Sequence, residues 1–131
     1  MYQLEVKHYL IERRFSPLRG WDATVDIGAM ERAQGPQQKP DKKARMQHAE
    51  KSLIGLGAKI GIHPKYGRTD VVASHPDLGI FLIEVEGNSS RQKEQSVYSA
   101  LGQTVLMMVE SSDDITYALA VPDQPEWESK S

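Results

Sequence analysis

The stretch Ile80-Phe81-Leu82-Ile83-Glu84-Val85 carries five apolar side chains in six positions. A run that short and that apolar is a strand covered on both faces, because a half-solvated strand would alternate with polar residues. It predicts a central strand over Ile80 to Glu86 in a sheet flanked by helices, which places the chain in the α/β class.

The other segments arrange themselves around that strand. Thr69 to Ser74 is a second strand, joined to the first by the loop His75 to Gly79, and Ala58 to His63 is a short strand before the turn Pro64 to Arg68. From Asp41 the pattern is helical: Asp41 serves as a cap, Met46, Ala49, Leu53 and Leu56 recur at spacings of three and four, and Gly57 is the stop. A second helix over Arg91 to Ser111 follows the loop Gly87 to Ser90, with Val97, Ala100, Leu101, Thr104 and Met108 as its apolar stripe. A last strand, Ile115 to Val121, ends at Pro122. At the N-terminus, Tyr2 to Ile11 and Trp21 to Met30 read as strands paired in a hairpin through the turn at Pro17 and Gly20. The expectation is a single domain over 1–131, because 131 residues divided in two would bury too little core in each half. Within it, 1–33 is an N-terminal β-hairpin, 41–122 the core and 123–131 a tail.

Composition removes several function classes. Cysteine is absent, which excludes disulfides, thiolate zinc sites and cysteine nucleophiles and leaves oxygen or imidazole to hold any metal. The formal net charge of -2 gives no general attraction to nucleic acid, so such binding would depend on local basic patches. No apolar run reaches the length of about 18 residues that a membrane span needs, and Glu5, Lys7 and His8 interrupt the N-terminus where a signal peptide requires an apolar core. A cytoplasmic, intracellular protein that makes no membrane contact is expected. His8, His48, His63 and His75 fall at no metal-ligand spacing, and there is neither a Gly-x-Ser-x-Gly elbow nor a Gly-Lys-Ser/Thr phosphate loop.

What remains is a set of carboxylates. If Thr69 to Ser74 and Ile80 to Glu86 pair as a hairpin, Ser74 faces Ile80, Val72 faces Leu82 and Asp70 faces Glu84. Strand alternation puts Glu86 on the same face as Glu84, about 7 Å away. Like charges opposed across a ladder destabilise it, so protons, cationic partners or a metal must offset them. A hard divalent cation such as Mg²⁺ suits oxygen ligands and can activate water for phosphodiester hydrolysis. The bland alternative is that Asp70 ends a turn after Gly67 and Arg68, while Glu84 and Glu86 point to solvent and pair with nearby Lys or Arg.

Gly67-Arg68-Thr69-Asp70, then Phe81-Leu82-Ile83-Glu84-Val85-Glu86-Gly87, then a helix, resembles the PD-(D/E)XK nuclease superfamily over roughly residues 41–122. In that superfamily an αβββαβ core carries an acid on its second strand and acid-x-lysine on its third. The resemblance implies a restriction endonuclease-like fold, with a mixed central sheet flanked by helices, here preceded by the β-hairpin. It implies a DNA endonuclease that depends on Mg²⁺, with Mn²⁺ as a substitute. Asp70, Glu84 and Glu86 would form the catalytic carboxylates, with Asp70 and Glu84 as metal ligands and Glu50, on the first core helix, completing the metal shell.

One position departs from the motif: Glu86 stands where the lysine is expected. In some members a lysine on the following helix takes over, and Lys93, four residues before Val97 and seven before Ala100, is the candidate here. An exposed first-turn lysine is the plain alternative. Glu86 also leaves open a catalytically inactive module that binds nucleic acid or a protein partner. Arg68, Arg91, Gln92 and Gln103 are candidate nucleic-acid contacts, the two glutamines lying along one side of the second helix. Homodimers are common among small nucleases of this fold, and the apolar surplus over Val105 to Met108 suits either an interface or the core. Arg13, Arg14 and Arg19, with Phe15 and Trp21, form either a solvated basic turn or a phosphate-and-base contact that Lys42, Lys43 and Arg45 would extend.

Overall fold

In the computed structural model of the chain, residues 2–32, 35–36, 38–86, 98–100, 105–112 and 114–122 are described. Leu4, Lys7, Leu10 and Ile11 recur at spacings of three, three and one, and the segment that carries them is helix α1, Gln3–Arg13. All four are buried, so the helix turns one stripe inward. The strand expected over Tyr2 to Ile11 is therefore replaced by a helix, and there is no N-terminal hairpin. Lys7, a polar side chain on the inward stripe, interrupts the helical period and leaves an apparent alternation in its place.

A short 3₁₀ turn over Pro17–Arg19 leads into strand β1, Asp22–Val25. This strand is shorter than the expected Trp21 to Met30, because the chain leaves the sheet at Asp26 and turns into the short helix α2, Ala29–Arg32. Helix α3, Pro40–Leu56, matches the expected helix and ends at Gly57 with φ 100°. Its start differs: Lys39 is the N-cap and Pro40 occupies the first turn, while Asp41 lies inside the helix. β2 is only Lys59–Ile60, where a longer strand to His63 was expected.

β3, Val71–His75, and β4, Gly79–Val85, form an antiparallel hairpin. Its register is the one expected, with Val72 opposite Leu82 and Ser74 opposite Ile80. β5 is Tyr98–Ala100, β6 is Val105–Ser112 and β7 is Ile115–Pro122. The helix expected over Arg91 to Ser111 is thus replaced by strands where the structure describes it, with β6 paired antiparallel to both β5 and β7. Val105 to Val109 is a continuous apolar run, and such a run cannot be assigned to helix or strand by periodicity alone. Residues 91–97 and 101–104 of that expected helix, and the expected tail over 123–131, lie outside the described residues.

The strands form one mixed sheet in the order β2-β1-β3-β4-β7-β6-β5, with β1, β3 and β4 successively antiparallel and β7 parallel to β4. β4 is central, as its composition requires. One face of the sheet presents Ala23, Val25, Val71, Ala73, Ile83, Val85, Ala118 and Ala120 to a shared core with Leu4, Leu10 and Ile11 of α1 and Met46, Ala49 and Leu53 of α3. Phe15 belongs to that core and meets Trp21 edge-on and Phe81 at a tilt, at ring-centre distances of 4.9 and 5.3 Å. On the other face, Leu82 is half-buried and Glu84 exposed, so burial along β4 alternates after Leu82. Among the described residues no helix is long and apolar enough to cross a membrane.

Candidate functional site

Because β1 and β4 both run antiparallel to β3, the end of β1, the start of β3 and the end of β4 meet at one edge of the fold. Asp26 N–H donates to Asp70 O at 3.0 Å, fixing the two strand ends together. Asp70 continues the hairpin one rung beyond the pair Val71 and Ile83, which places it opposite Glu84. Its Oδ2 accepts the Val85 N–H at 2.8 Å. The expected cross-strand pairing of Asp70 with Glu84 is therefore present.

The two carboxyls interact unfavourably as anions. Glu84 has its pKa raised from the ordinary 4.5, first by partial desolvation, then by the charge of Asp70, and further by a hydrogen bond shared with Asp70. A hydrogen bond from the Asp70 backbone and, less strongly, the charge of Lys7 pull the other way.

Behind the carboxylates sits a lysine that the sequence did not flag. Lys7 of α1 is wholly buried, and its Nζ donates to Asp26 O at 2.5 Å and to Glu31 Oε1 and Oε2 at 2.7 and 2.9 Å. Asp70 Oδ1 lies 3.5 Å from the same nitrogen. Glu31 is fixed in turn by the Gly28 N–H, which donates to Oε2 at 2.9 Å. Helix α2, too short to be stable by itself, thus serves to place one carboxylate against Lys7. A charged ammonium is tolerated in such a position only when every donor is used, as it is here. The available signal in the sequence was the phase of Lys7: it falls three residues from Leu4, three from Leu10 and four from Ile11, on the apolar stripe of a helix.

The other expected site residues are distributed more widely. Arg68 is exposed and lies 3.5 Å from Asp26 Oδ2, on the rim of the same edge. Glu86 follows β4, and its N–H donates to Ala120 O at 2.9 Å. Glu50 of α3 is engaged by Arg32 in a two-point pair, with Nε to Oε1 at 3.1 Å and Nη2 to Oε2 at 3.2 Å. Arg91, Gln92, Lys93 and Gln103 lie outside the described residues. Phe15 is 2% exposed and so belongs to the core rather than to a base-stacking surface. Lys42 and Arg45 flank the Tyr2 ring at 4.8 and 5.0 Å from its centre.

Asp26, Glu31, Asp70 and Glu84 therefore gather with Lys7 and Arg68, four carboxylates to two cations. Among the described residues no three His, Cys, Asp or Glu side chains are disposed around one point for a metal ion; Asp70 and Glu31 are arranged around the Lys7 ammonium. Comparison of the chain with protein-family models, with curated proteins and with solved structures finds no match.

Proposed function

We propose that the chain is a divalent-metal-dependent nuclease of the PD-(D/E)XK type, hydrolysing DNA phosphodiester bonds at the edge formed by Asp70 and Glu84. The observation that carries this reading is the juxtaposition of those two carboxyls, one on each strand of the β3–β4 hairpin, with Glu84 driven toward its protonated form. The element order supports it in part, since β5 and β6 stand where the second helix of such a core is expected. α1, β1, β3 and β4 supply a helix and a three-strand antiparallel meander, and β7 lies parallel beside β4. On this reading the restriction endonuclease-like core begins at α1 rather than at residue 41, and α2, α3 and β2 are inserted between its first and second strands.

The donor set fits a hard cation. Asp70 and Glu84 offer oxygen only, and their mutual repulsion is relieved by a dication. Mg²⁺, or Mn²⁺ in its place, would be held by these two carboxylates and would supply Lewis-acid stabilisation of charge at a phosphoryl group. The chain's own contribution is orientation: the Val85 N–H and Lys7 each hold one oxygen of Asp70, and the β3–β4 register sets Glu84 beside it. Arg68, exposed on the rim beside Asp26, is the residue that would meet a phosphate. Glu86, the next acid along, is the assisting carboxylate of the proposal.

A non-catalytic module of the same fold is the second reading, favoured by the contact between Lys7 and Asp70, which already offsets one of the two charges. Cleavage of supercoiled and linear DNA in Mg²⁺ separates the two. The nuclease reading expects cleavage that is abolished by chelation and by Asp70→Ala or Glu84→Ala. Cleavage at the wild-type rate in both variants would remove it.

A further inference from the structure

Lys7 has more anchorage than a helix needs. α1 is already docked by Leu4, Val6, Leu10 and Ile11, all with no exposed surface. A lysine in this position adds the full desolvation cost of an ammonium, and an apolar residue of similar volume would normally be as good or better for stability. Packing alone does not account for it. The geometry supplies a reason. Asp26 O and both oxygens of Glu31 use the short contacts and fix Nζ in place, which leaves Nζ 3.5 Å from Asp70 Oδ1. Asp70 Oδ2 is bound from the other side by the Val85 N–H. The carboxylate is therefore held between a helix and a strand end, beside Glu84.

We infer that Lys7 is the positioning residue of the carboxylate site: anchored by Asp26 and Glu31, it holds Asp70 in register with Glu84. Its action on turnover rests on the nuclease reading; its action on Asp70 does not. Lys7 is fully buried and touches no substrate, so it works only through Asp70.

The test uses the ¹⁵N-labelled full chain and the variants Lys7→Met, Lys7→Arg and Glu31→Gln. The Val85 amide reports the Asp70 contact, and the Ala73 amide in the middle of β3 reports the fold. Lys7→Met is expected to speed Val85 exchange by roughly tenfold, the loss of a charge-assisted hydrogen bond, while Ala73 stays protected. Lys7→Arg, which keeps the charge, should recover part of the protection. At saturating Mn²⁺, Lys7→Met should cleave DNA more slowly than wild type without binding Mn²⁺ more weakly, because removing a cation beside two carboxylates does not oppose a dication. A purely structural lysine would instead lower both with the folded fraction.

Unchanged Val85 exchange in a folded Lys7→Met chain overturns the inference, as does a parallel fall of Mn²⁺ affinity and cleavage. If Lys7→Met does not fold, Glu31→Gln, which loosens the anchor and leaves Lys7 in place, decides by the same Val85 measurement. If wild type neither binds Mn²⁺ nor cleaves, the nuclease reading fails, and Val85 still decides whether Lys7 positions Asp70.

Discussion

Asp70 and Glu84 stand opposite each other one rung beyond the last pair of the β3–β4 ladder, and the charge of Asp70 adds to burial in raising the pKa of Glu84. The sign of the stability effect follows. Below the ordinary value of 4.5 Glu84 is protonated in both the folded and the unfolded chain, and nothing is lost. As pH rises from there through the raised folded value, ionisation is harder in the folded chain, so stability falls until that value is passed. Glu84→Gln is expected to raise Tm slightly at neutral pH and to match wild type at about pH 4. Thermal melts of the two proteins across this range check it, and equal Tm at neutral pH would show that the pair carries no strain.

His8 provides a second titration with the opposite direction. It lies in the groove between α1 and α3, its ring 6.2 Å from that of His48. Burial lowers its pKa below 6.5, as does His48, against Glu12 and Glu5, which raise it. Above 6.5 the imidazole is neutral in both states; as pH falls from 6.5 through the depressed folded value, the unfolded chain takes the proton first and stability is lost. An NMR titration of the His8 ring should give a midpoint below 6.5, and His8→Gln should lose less stability than wild type over that fall in pH.

Gly79 begins β4 with φ 90°, and a Cβ there would sit 3.0 Å from the carbonyl oxygen of Asp114. Both the backbone conformation and the neighbouring main chain disfavour a side chain. Gly79→Ala is expected to cost about 1–3 kcal/mol in urea unfolding, since the positive φ is strained and the obstructing atom is main chain. A cost near zero would mean that the β3–β4 turn can be rebuilt.

The sequence disclosed the parts of the fold governed by local chemistry. The β3–β4 hairpin was legible because Ile80 to Val85 is strongly apolar and Gly79 marks its start, and the register then placed Asp70 against Glu84. α3 was legible from Met46, Ala49 and Leu53 with Gly57 after them. α1 was missed because its inward stripe includes Lys7, whose burial depends on Asp26, Glu31 and Asp70, partners far away in the sequence. β6 was missed because Val105 to Val109 suits a buried helix and a strand equally, and pairing with β7 decides between them. Glu50 drew attention for its place on a helix, but its partner, Arg32, could be found only once α2 and α3 were set side by side. Long-range ion pairs leave little trace in local periodicity, and the edge of this fold is built from them.

The most direct test is calorimetric titration of Mn²⁺ into the wild-type chain and into the double variant Asp70→Asn/Glu84→Gln. Wild type is expected to bind saturably, more tightly as pH rises and Glu84 gives up its proton, and the double variant not to bind. Binding heats that are the same in the two proteins would contradict this expectation.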